Sequence, residues 1–258
     1  MRRAPPNVAL ITGEGASPWE MASADPGGIR LDSVTCGDAL ELIPRLPDRS
    51  IDLVLWDPDY GVEVDFGEGH RDPAEAIEFV ARALELLKPK SRTGTVVIFW
   101  SGSLERTMAL EGSRAPSVWP FHYRGVWYKM NGAGPSGNGL ARRHEMWYWL
   151  KAHDGPKPPS EWSRLPDVLA EPRIVPGHRE AVNHPTQKPV RLLERLIRFF
   201  TLPGAVVLDP TVGSGSTCVA AIQTGRRYVG FELNPDYVAM AARRIERAQP
   251  TLGLLEQT

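Results

Sequence analysis

Apolar and polar positions along this chain change period repeatedly, from runs of strand type to spacings of helix type. After Ser33 the pattern alternates as far as Gly37 and Asp38, and a short helical stretch follows to Leu46. Ile51–Asp57 is a nearly continuous apolar run, as expected of a strand buried on both faces. From about Pro73 to Lys88, Ile77, Val80, Ala81, Leu84 and Leu87 recur at helical spacing and predict one buried helix face. Thr95–Trp100 predicts another buried strand. Phe121–Met130 and Glu145–Leu150 are apolar and aromatic runs on either side of the glycine-rich stretch Asn131–Gly139, which predicts two strands joined by a mobile excursion. Residues 152–183 hold many prolines and few apolar runs, and are expected to wrap the surface. A helix from Pro189 to about Phe200 follows, preset by proline at its first turn. The strand Ala205–Asp209, a helix from about Ser216 to Gln223, the strand Tyr228–Glu232 and a helix from Pro235 to about Arg247 complete the series. Repeated strand-helix alternation predicts an α/β fold with a mostly parallel sheet and helices on both faces.

Length changes this picture little: 258 residues suit one large α/β domain, expected over residues 30–250, after a flexible tail over residues 1–29 that is rich in Pro, Gly, Ala and Ser. With 30 Lys and Arg against 31 Asp and Glu the formal charge is -1, so any contact with nucleic acid must come from a local basic face. Two cysteines, Cys36 and Cys218, make no disulfide framework and have no metal-ligand spacing, which fits a reducing compartment and no bound metal. The first apolar run, Val8–Ile11, is too short for a signal-peptide core, and no run approaches a membrane span. A cytoplasmic protein is expected.

Candidate chemistry gathers at two strand ends. One carries Asp57-Pro58-Asp59-Tyr60 and the other Asp209-Pro210-Thr211-Val212-Gly213-Ser214-Gly215-Ser216-Thr217. In open α/β sheets the carboxyl ends of the strands form the ligand-binding edge. Gly213 and Gly215 let the backbone turn tightly and approach a ligand, and the helix opened by Ser216 and Thr217 offers unpaired amide hydrogens. Glu232, at the end of the next strand, is placed to accept the ribose hydroxyl hydrogens of an adenosine. Cys218 stands where a dinucleotide fingerprint would have its third glycine, which argues against a pyrophosphate ligand. The plain alternatives are a strand-ending turn for Asp57–Tyr60 and a turn or helix-cap role for Asp209.

Together, and in this order, the two motifs resemble those of the S-adenosylmethionine-dependent methyltransferases that modify exocyclic amines of DNA bases. Asp-Pro-x-Tyr before the glycine loop resembles the circularly permuted β class, which comprises DNA adenine-N6 and cytosine-N4 enzymes with a Rossmann-like methyltransferase fold. The likeness runs from about Thr35 to Arg247. It implies S-adenosylmethionine as cofactor and double-stranded DNA as substrate. It also implies that Asn183-His184-Pro185-Thr186-Gln187-Lys188-Pro189, with Thr186 and Lys188, lines the methionine end of the cofactor, and that Asp209 lies near its amino group. Asp38 resembles the family's carboxylate that contacts the cofactor adenine; a helix cap is the equal alternative. Asp at position 57 points to adenine N6 over cytosine N4.

The resemblance also gives the reacting site a mechanism. An exocyclic amine is a poor nucleophile because its lone pair is delocalised into the ring. Hydrogen bonds from the amine to the Asp57 carboxylate and the Pro58 carbonyl localise that pair, and Tyr60 stacks on a base flipped out of the duplex. The usual Asp-Pro-Pro-Tyr is here Asp-Pro-Asp-Tyr, so Asp59 motivates a rival reading, a catalytically silent DNA-binding relative. A nucleotide-dependent oxidoreductase is a weaker rival, opposed by the missing glycine.

Between Phe121 and Lys151, Arg124, Lys129, Arg142, Arg143 and Lys151 face a lone acid, Glu145. This local excess makes Arg124, Lys129, Arg142 and Arg143 candidates for phosphate contact. The interleaved aromatics suit stacking on bases, but their alternation suits core strands better. Residues 151–183 are the candidate target-recognition segment. A homodimer is compatible with the sequence, and no feature assigns a restriction endonuclease partner.

Overall fold

The structure, a computed structural model, describes residues 18–19, 28–58, 73–101, 112–113, 115–132, 143–151 and 159–249. Eight strands are β1 (Ser33–Cys36), β2 (Ile51–Trp56), β3 (Ser91–Ser101), β4 (Phe121–Lys129), β5 (His144–Lys151), β6 (Val168–Glu171), β7 (Val206–Asp209) and β8 (Arg227–Glu232). The helices are α1 (Ala39–Leu42, continued by a 3-10 turn over Ile43–Arg45), α2 (Pro73–Lys90), α3 (Ala115–Val118), α4 (Val190–Phe200), α5 (Ser216–Gln223) and α6 (Pro235–Ala248). No helix among the described residues is long and apolar enough to cross a membrane.

One sheet holds all eight strands in the order β1-β8-β7-β2-β3-β5-β4-β6. Every neighbouring pair is parallel except those made by β5, which runs against both β3 and β4. The mostly parallel sheet is the one the alternation predicts, and its central strands show why. Val54 and Trp56 of β2, with Val97 and Phe99 of β3, enter one buried cluster; Leu53, Leu55, Val96, Ile98 and Trp100 enter the other. Helices α1 and α2 cover the first face, and α4, α5 and α6 the second. A strand covered on both sides has no polar alternation to show. On α2, Val80, Ala81, Leu84 and Leu87 are buried as their spacing predicts, joined by Phe79 and Ala83, whereas Ile77 is half-buried.

Beyond shifts of one or two residues at element ends, four places depart from expectation. β3 begins at Ser91 rather than Thr95, because Ile51 pairs with Ser91 across an irregularity before the register settles at Leu53 with Val96. The short helix α3 has no apolar repeat to announce it. β6 lies inside the stretch expected to be irregular: Val168–Glu171 pairs in parallel with Val126–Lys129 and forms the sheet edge. Trp19 and Ile29, within the expected tail, are buried, and the Trp19 indole donates to the Ser50 carbonyl at 3.4 Å.

One side chain ties the sheet together at its amino end. The Asp52 carboxylate accepts from Val206 N at 2.8 Å and from Arg92 at 3.1 and 3.2 Å, so one side chain links β2, β7 and β3. Burial raises its pKa even with these partners present. Further out, β7 and β2 are neighbours although the chain leaves them in opposite directions, β7 toward β8 and β2 toward β3. Such a reversal of strand order opens a crevice at the carboxyl edge.

Gly125 of β4 pairs with Trp147 of β5, and the indole occupies the space a side chain would need. A Cβ there would lie 2.1 Å from the ring and 2.6 Å from the Asp167 carbonyl oxygen, which itself accepts from Val126 N. Rotating the indole relieves only half of that clash. Gly125→Ala is therefore expected to destabilise the fold by about 1–3 kcal/mol through overpacking. The expected signature is a lower urea midpoint at unchanged slope; an unmoved midpoint would show that β4 shifts freely.

Candidate active site

Four adjacent strands each deliver an acid to the carboxyl edge. In sheet order these are Asp38 just beyond β1, Glu232 closing β8, Asp209 closing β7 and Asp57 directly after β2. The glycine loop lies among them. Gly213 (φ 50°) and Gly215 (φ 81°) are left-handed, a conformation in which a side chain is strained. A Cβ on Gly213 would sit 2.6 Å from His184 Nε2, and one on Gly215 would sit 3.0 Å from Ala241 of α6. The loop is held from three sides. Glu232 accepts from Gly213 N at 2.7 Å with one oxygen and from Asn234 N at 2.9 Å with the other. Arg244 donates to the Ser214 carbonyl at 2.7 Å and to the Ser216 hydroxyl at 3.0 Å. Val212 N donates to the Phe231 carbonyl at 2.8 Å.

The acids sit in different fields. Asp209 is buried, and burial pushes its pKa up to about 7 against the Thr217 hydroxyl and the Thr211 N–H (3.1 Å) that favour the carboxylate; Asp57 and Glu232 push it the same way as burial. Glu232 is likewise raised by burial, partly offset by backbone N–H donors. Asp38 caps α1, its carboxylate accepting from Leu40 N at 2.8 Å, while Gly37 N donates to the Glu232 carbonyl at 2.9 Å. The capping alternative is thus realised, at a position beside Glu232. His184 packs on Tyr237 with ring centroids 4.7 Å apart, and burial, with Lys188 and Arg244 nearby, lowers its pKa to about 4. Its imidazole is neutral at neutral pH.

On the reacting side, Asp57 sits at the mouth of the crevice between β2 and β7. Thr211 joins the two strand ends: its hydroxyl donates to the Asp57 carbonyl at 3.2 Å and accepts from the Trp56 indole at 3.1 Å. Lys188, grouped by the sequence with the cofactor residues, has its ammonium on Asp57 Oδ2 and 3.4 Å from Glu145 Oε2. Lys129, assigned from sequence to the nucleic-acid face, pairs with the other oxygen of Glu145. The result is a row of alternating charge, Lys129–Glu145–Lys188–Asp57. Trp100 and Trp127 rings lie 5.6 and 6.0 Å from the Lys188 nitrogen. Burial works against the Lys188 cation, but Asp57 and Glu145 outweigh it and raise its pKa. Burial likewise works against the Glu145 carboxylate, and Lys188 and Lys129 outweigh it and lower its pKa. For Asp57 burial prevails over Lys188, with Glu145 adding to the rise. Among the described residues, no donor reaches Asp57 Oδ1 or the Pro58 carbonyl.

Asp59, Tyr60 and Arg142 lie outside the described residues. Thr186 is half-buried in the turn between His184 and Lys188. Arg124 is exposed on β4; Arg143 is exposed beside the Tyr128 ring, 5.2 Å away, and donates to the Met130 carbonyl at 2.8 Å. The aromatics largely follow the core alternative: Trp127, Trp147, Tyr148 and Trp149 are buried, whereas Tyr123 is exposed. Sequence reasoning missed Glu145, Thr211 and Arg244 as site residues. The only signal for Glu145 was its isolation among cations.

The family model for N6/N4 DNA methylases matches residues 51–243. YubD of Escherichia coli K12, a protein named as a methylase, is 34% identical over 216 residues, covering 83% of this chain and 89% of YubD. The DNA adenine methyltransferase YhdJ of the same organism is 27% identical over 250 residues, covering 86% and 85%. Among solved structures, TTHA0409 of Thermus thermophilus, named as a DNA modification methylase and complexed with S-adenosyl-L-methionine, superposes with a TM-score of 0.64 at 25% identity. That match covers 84% of this chain and 94% of TTHA0409. A strand order that opens a crevice between β2 and β7, an acid on each side of it and a family match spanning both make this chain a member of the N6/N4 DNA methylase family.

Proposed function

We propose that the chain transfers a methyl group from S-adenosylmethionine to the exocyclic amine of a base flipped from duplex DNA, adenine N6 in preference to cytosine N4. The observation that carries this reading is the crevice itself, where Asp57 and the Gly213 loop stand at neighbouring strand ends joined through Thr211. The residues fit the cofactor. Gly213 and Gly215 let the loop take its left-handed turns with His184 and Ala241 packed close, Glu232 suits two ribose hydroxyls, and Asp209, buried with hydroxyl, amide and acidic groups as its described neighbours, suits an ammonium group. When bound, S-adenosylmethionine supplies a methyl group activated by a sulfonium.

The chain's own residues supply the rest. Asp57 Oδ1 accepts one N–H of the amine and the Pro58 carbonyl accepts the other, which turns the nitrogen lone pair out of the ring. The carboxylate also favours the positive charge that grows on the nitrogen. Tyr60 holds the flipped ring by stacking. Adenine is favoured by Asp at position 57 and by the likeness to YhdJ, an adenine methyltransferase. Arg124 stands exposed on β4 and Arg143 beside β5, where they can meet phosphates as the duplex approaches the carboxyl edge.

Three measurements test these assignments. Removing the acceptor in Glu232→Ala should weaken cofactor binding by about 1–3 kcal/mol, read by calorimetry; unchanged affinity would reject the ribose assignment. Asp209 gives a pH dependence. Its folded pKa of about 7 lies above the usual 3.8, so below about pH 7 the free site carries an extra proton that a cofactor ammonium must expel. Affinity should therefore rise with pH up to about 7 and level off, with proton release seen in buffers of different ionisation heat. Burial of Glu232 adds in the same direction, and Asp209→Asn should remove only the Asp209 share. A profile identical in the variant would place the titration elsewhere.

Asp57→Ala should leave cofactor affinity nearly intact and lower methyl transfer to duplex DNA by about a hundredfold or more, the scale of one aimed electrostatic partner. Tyr60→Ala should be damaging and Tyr60→Phe mild, and Asp59→Pro, which restores the usual motif, should change the rate only modestly. Full transfer by Asp57→Ala would sink the mechanism.

A further inference from the structure

We infer that Lys188 is a specificity-determining residue: with Asp57 it forms an acceptor–donor couple that reads the ring nitrogen beside the target amine. The inference rests on the reading that an exocyclic amine is the methyl acceptor. It starts from valence. An ammonium carries three N–H bonds, and among the described residues the polar partners of Lys188 are Asp57 Oδ2 and Glu145 Oε2. One N–H remains, on the nitrogen directly beside the carboxylate that receives the amine. Adenine presents a donor next to an acceptor, N6–H beside N1, and cytosine presents the same pair, N4–H beside N3. Guanine and thymine present the reverse, a carbonyl beside a ring N–H, and would set a carbonyl against the Asp57 carboxylate and a ring N–H against the ammonium. Buried polar groups left unpaired in this way are a strong basis for rejection.

The surroundings keep the couple in place. Lys188 is buried against the Trp100 and Trp127 indoles, so its stem is restrained by packing. Glu145, opposite Trp127 in the β4–β5 register, holds the nitrogen from the far side, and Lys129 neutralises the second oxygen of Glu145. Glu145 is thereby a positioning residue. The arrangement also explains why a buried lysine sits on a carboxylate that the reaction needs: one oxygen is occupied and the other is left open for the amine.

The test pairs a base analogue with two variants. Once the methylated motif has been read by long-read sequencing of DNA from expressing cells, a duplex is made with 1-deazaadenine at the target, which keeps the amine but replaces N1 with C–H; for a cytosine target the analogue is 3-deazacytosine. In the wild type, kcat/KM should fall about ten- to a hundredfold on the analogue, the scale of a hydrogen bond from a charged donor. Lys188→Met should be slower on the normal base and show little further loss on the analogue, with cofactor affinity unchanged by calorimetry. Comparing the ratio between proteins cancels the altered reactivity of the analogue amine. Where Lys188→Met is inactive, Glu145→Gln decides, and a reduced analogue penalty is expected. An equal penalty in wild type and variant, or none in the wild type, would overturn the inference, as would loss of cofactor affinity in Lys188→Met with the penalty retained. Absence of transfer from wild type to any DNA amine is a separate result, and it would overturn the proposed function and this inference together.

Discussion

Bringing an acid to the end of each of four neighbouring strands is unfavourable unless every charge is compensated, and this constraint shapes the whole carboxyl edge. Each acid meets it differently. Asp38 takes a helix-cap N–H, and Glu232 takes the amides of Gly213 and Asn234. Asp57 takes the Lys188 ammonium. Asp209 has no cation among these partners, and its high pKa shows the cost of ionising it. Compensation by local backbone groups fixes geometry, whereas compensation by protonation leaves room for an incoming charge. The edge is therefore rigid around Glu232 and electrostatically receptive at Asp209.

Strand order turns these local solutions into one site. Because β7 and β2 are adjacent, the loop after one and the motif after the other meet although Asp57 and Thr211 are far apart in sequence. The same order puts β5 against β3 and β4, and this brings Glu145 and Lys129 to the reacting side from strands that contribute little to the cofactor side. The antiparallel strand thus adds charge to a site whose frame is parallel.

Much of this was legible in the sequence where a pattern is local. Strands β2 and β7 announce themselves by apolar runs that are nearly unbroken, the glycine loop by residues that tolerate left-handed backbone, and Glu232 by its place at the end of the following strand. What stayed hidden depends on pairing between distant segments. β6 is four residues long with alternate residues buried, and it becomes a strand only because Val126–Lys129 offers it a free edge. Glu145 reads as a lone acid among cations until the register sets it opposite Trp127, within reach of Lys129 and Lys188. Lys188 sits in a segment whose resemblance points to the cofactor, yet a long side chain from that turn reaches the neighbouring carboxylate. Gly125 looks like any glycine in a strand until Trp147 is placed across from it.

Trp19 carries a practical consequence for anyone trimming this chain. Its indole is 4% exposed and packs in the cluster beneath α1 and α2, donating to the carbonyl that precedes β2, the strand that ends in Asp57. A shortened version beginning at the first strand would keep every catalytic motif and still lose a wedge from the foundation of that strand. Such a version would enter the crystallisation drop or the assay with a hole at the amino end of the strand that carries its reacting carboxylate, and low activity in it would report on the cut rather than on the chemistry.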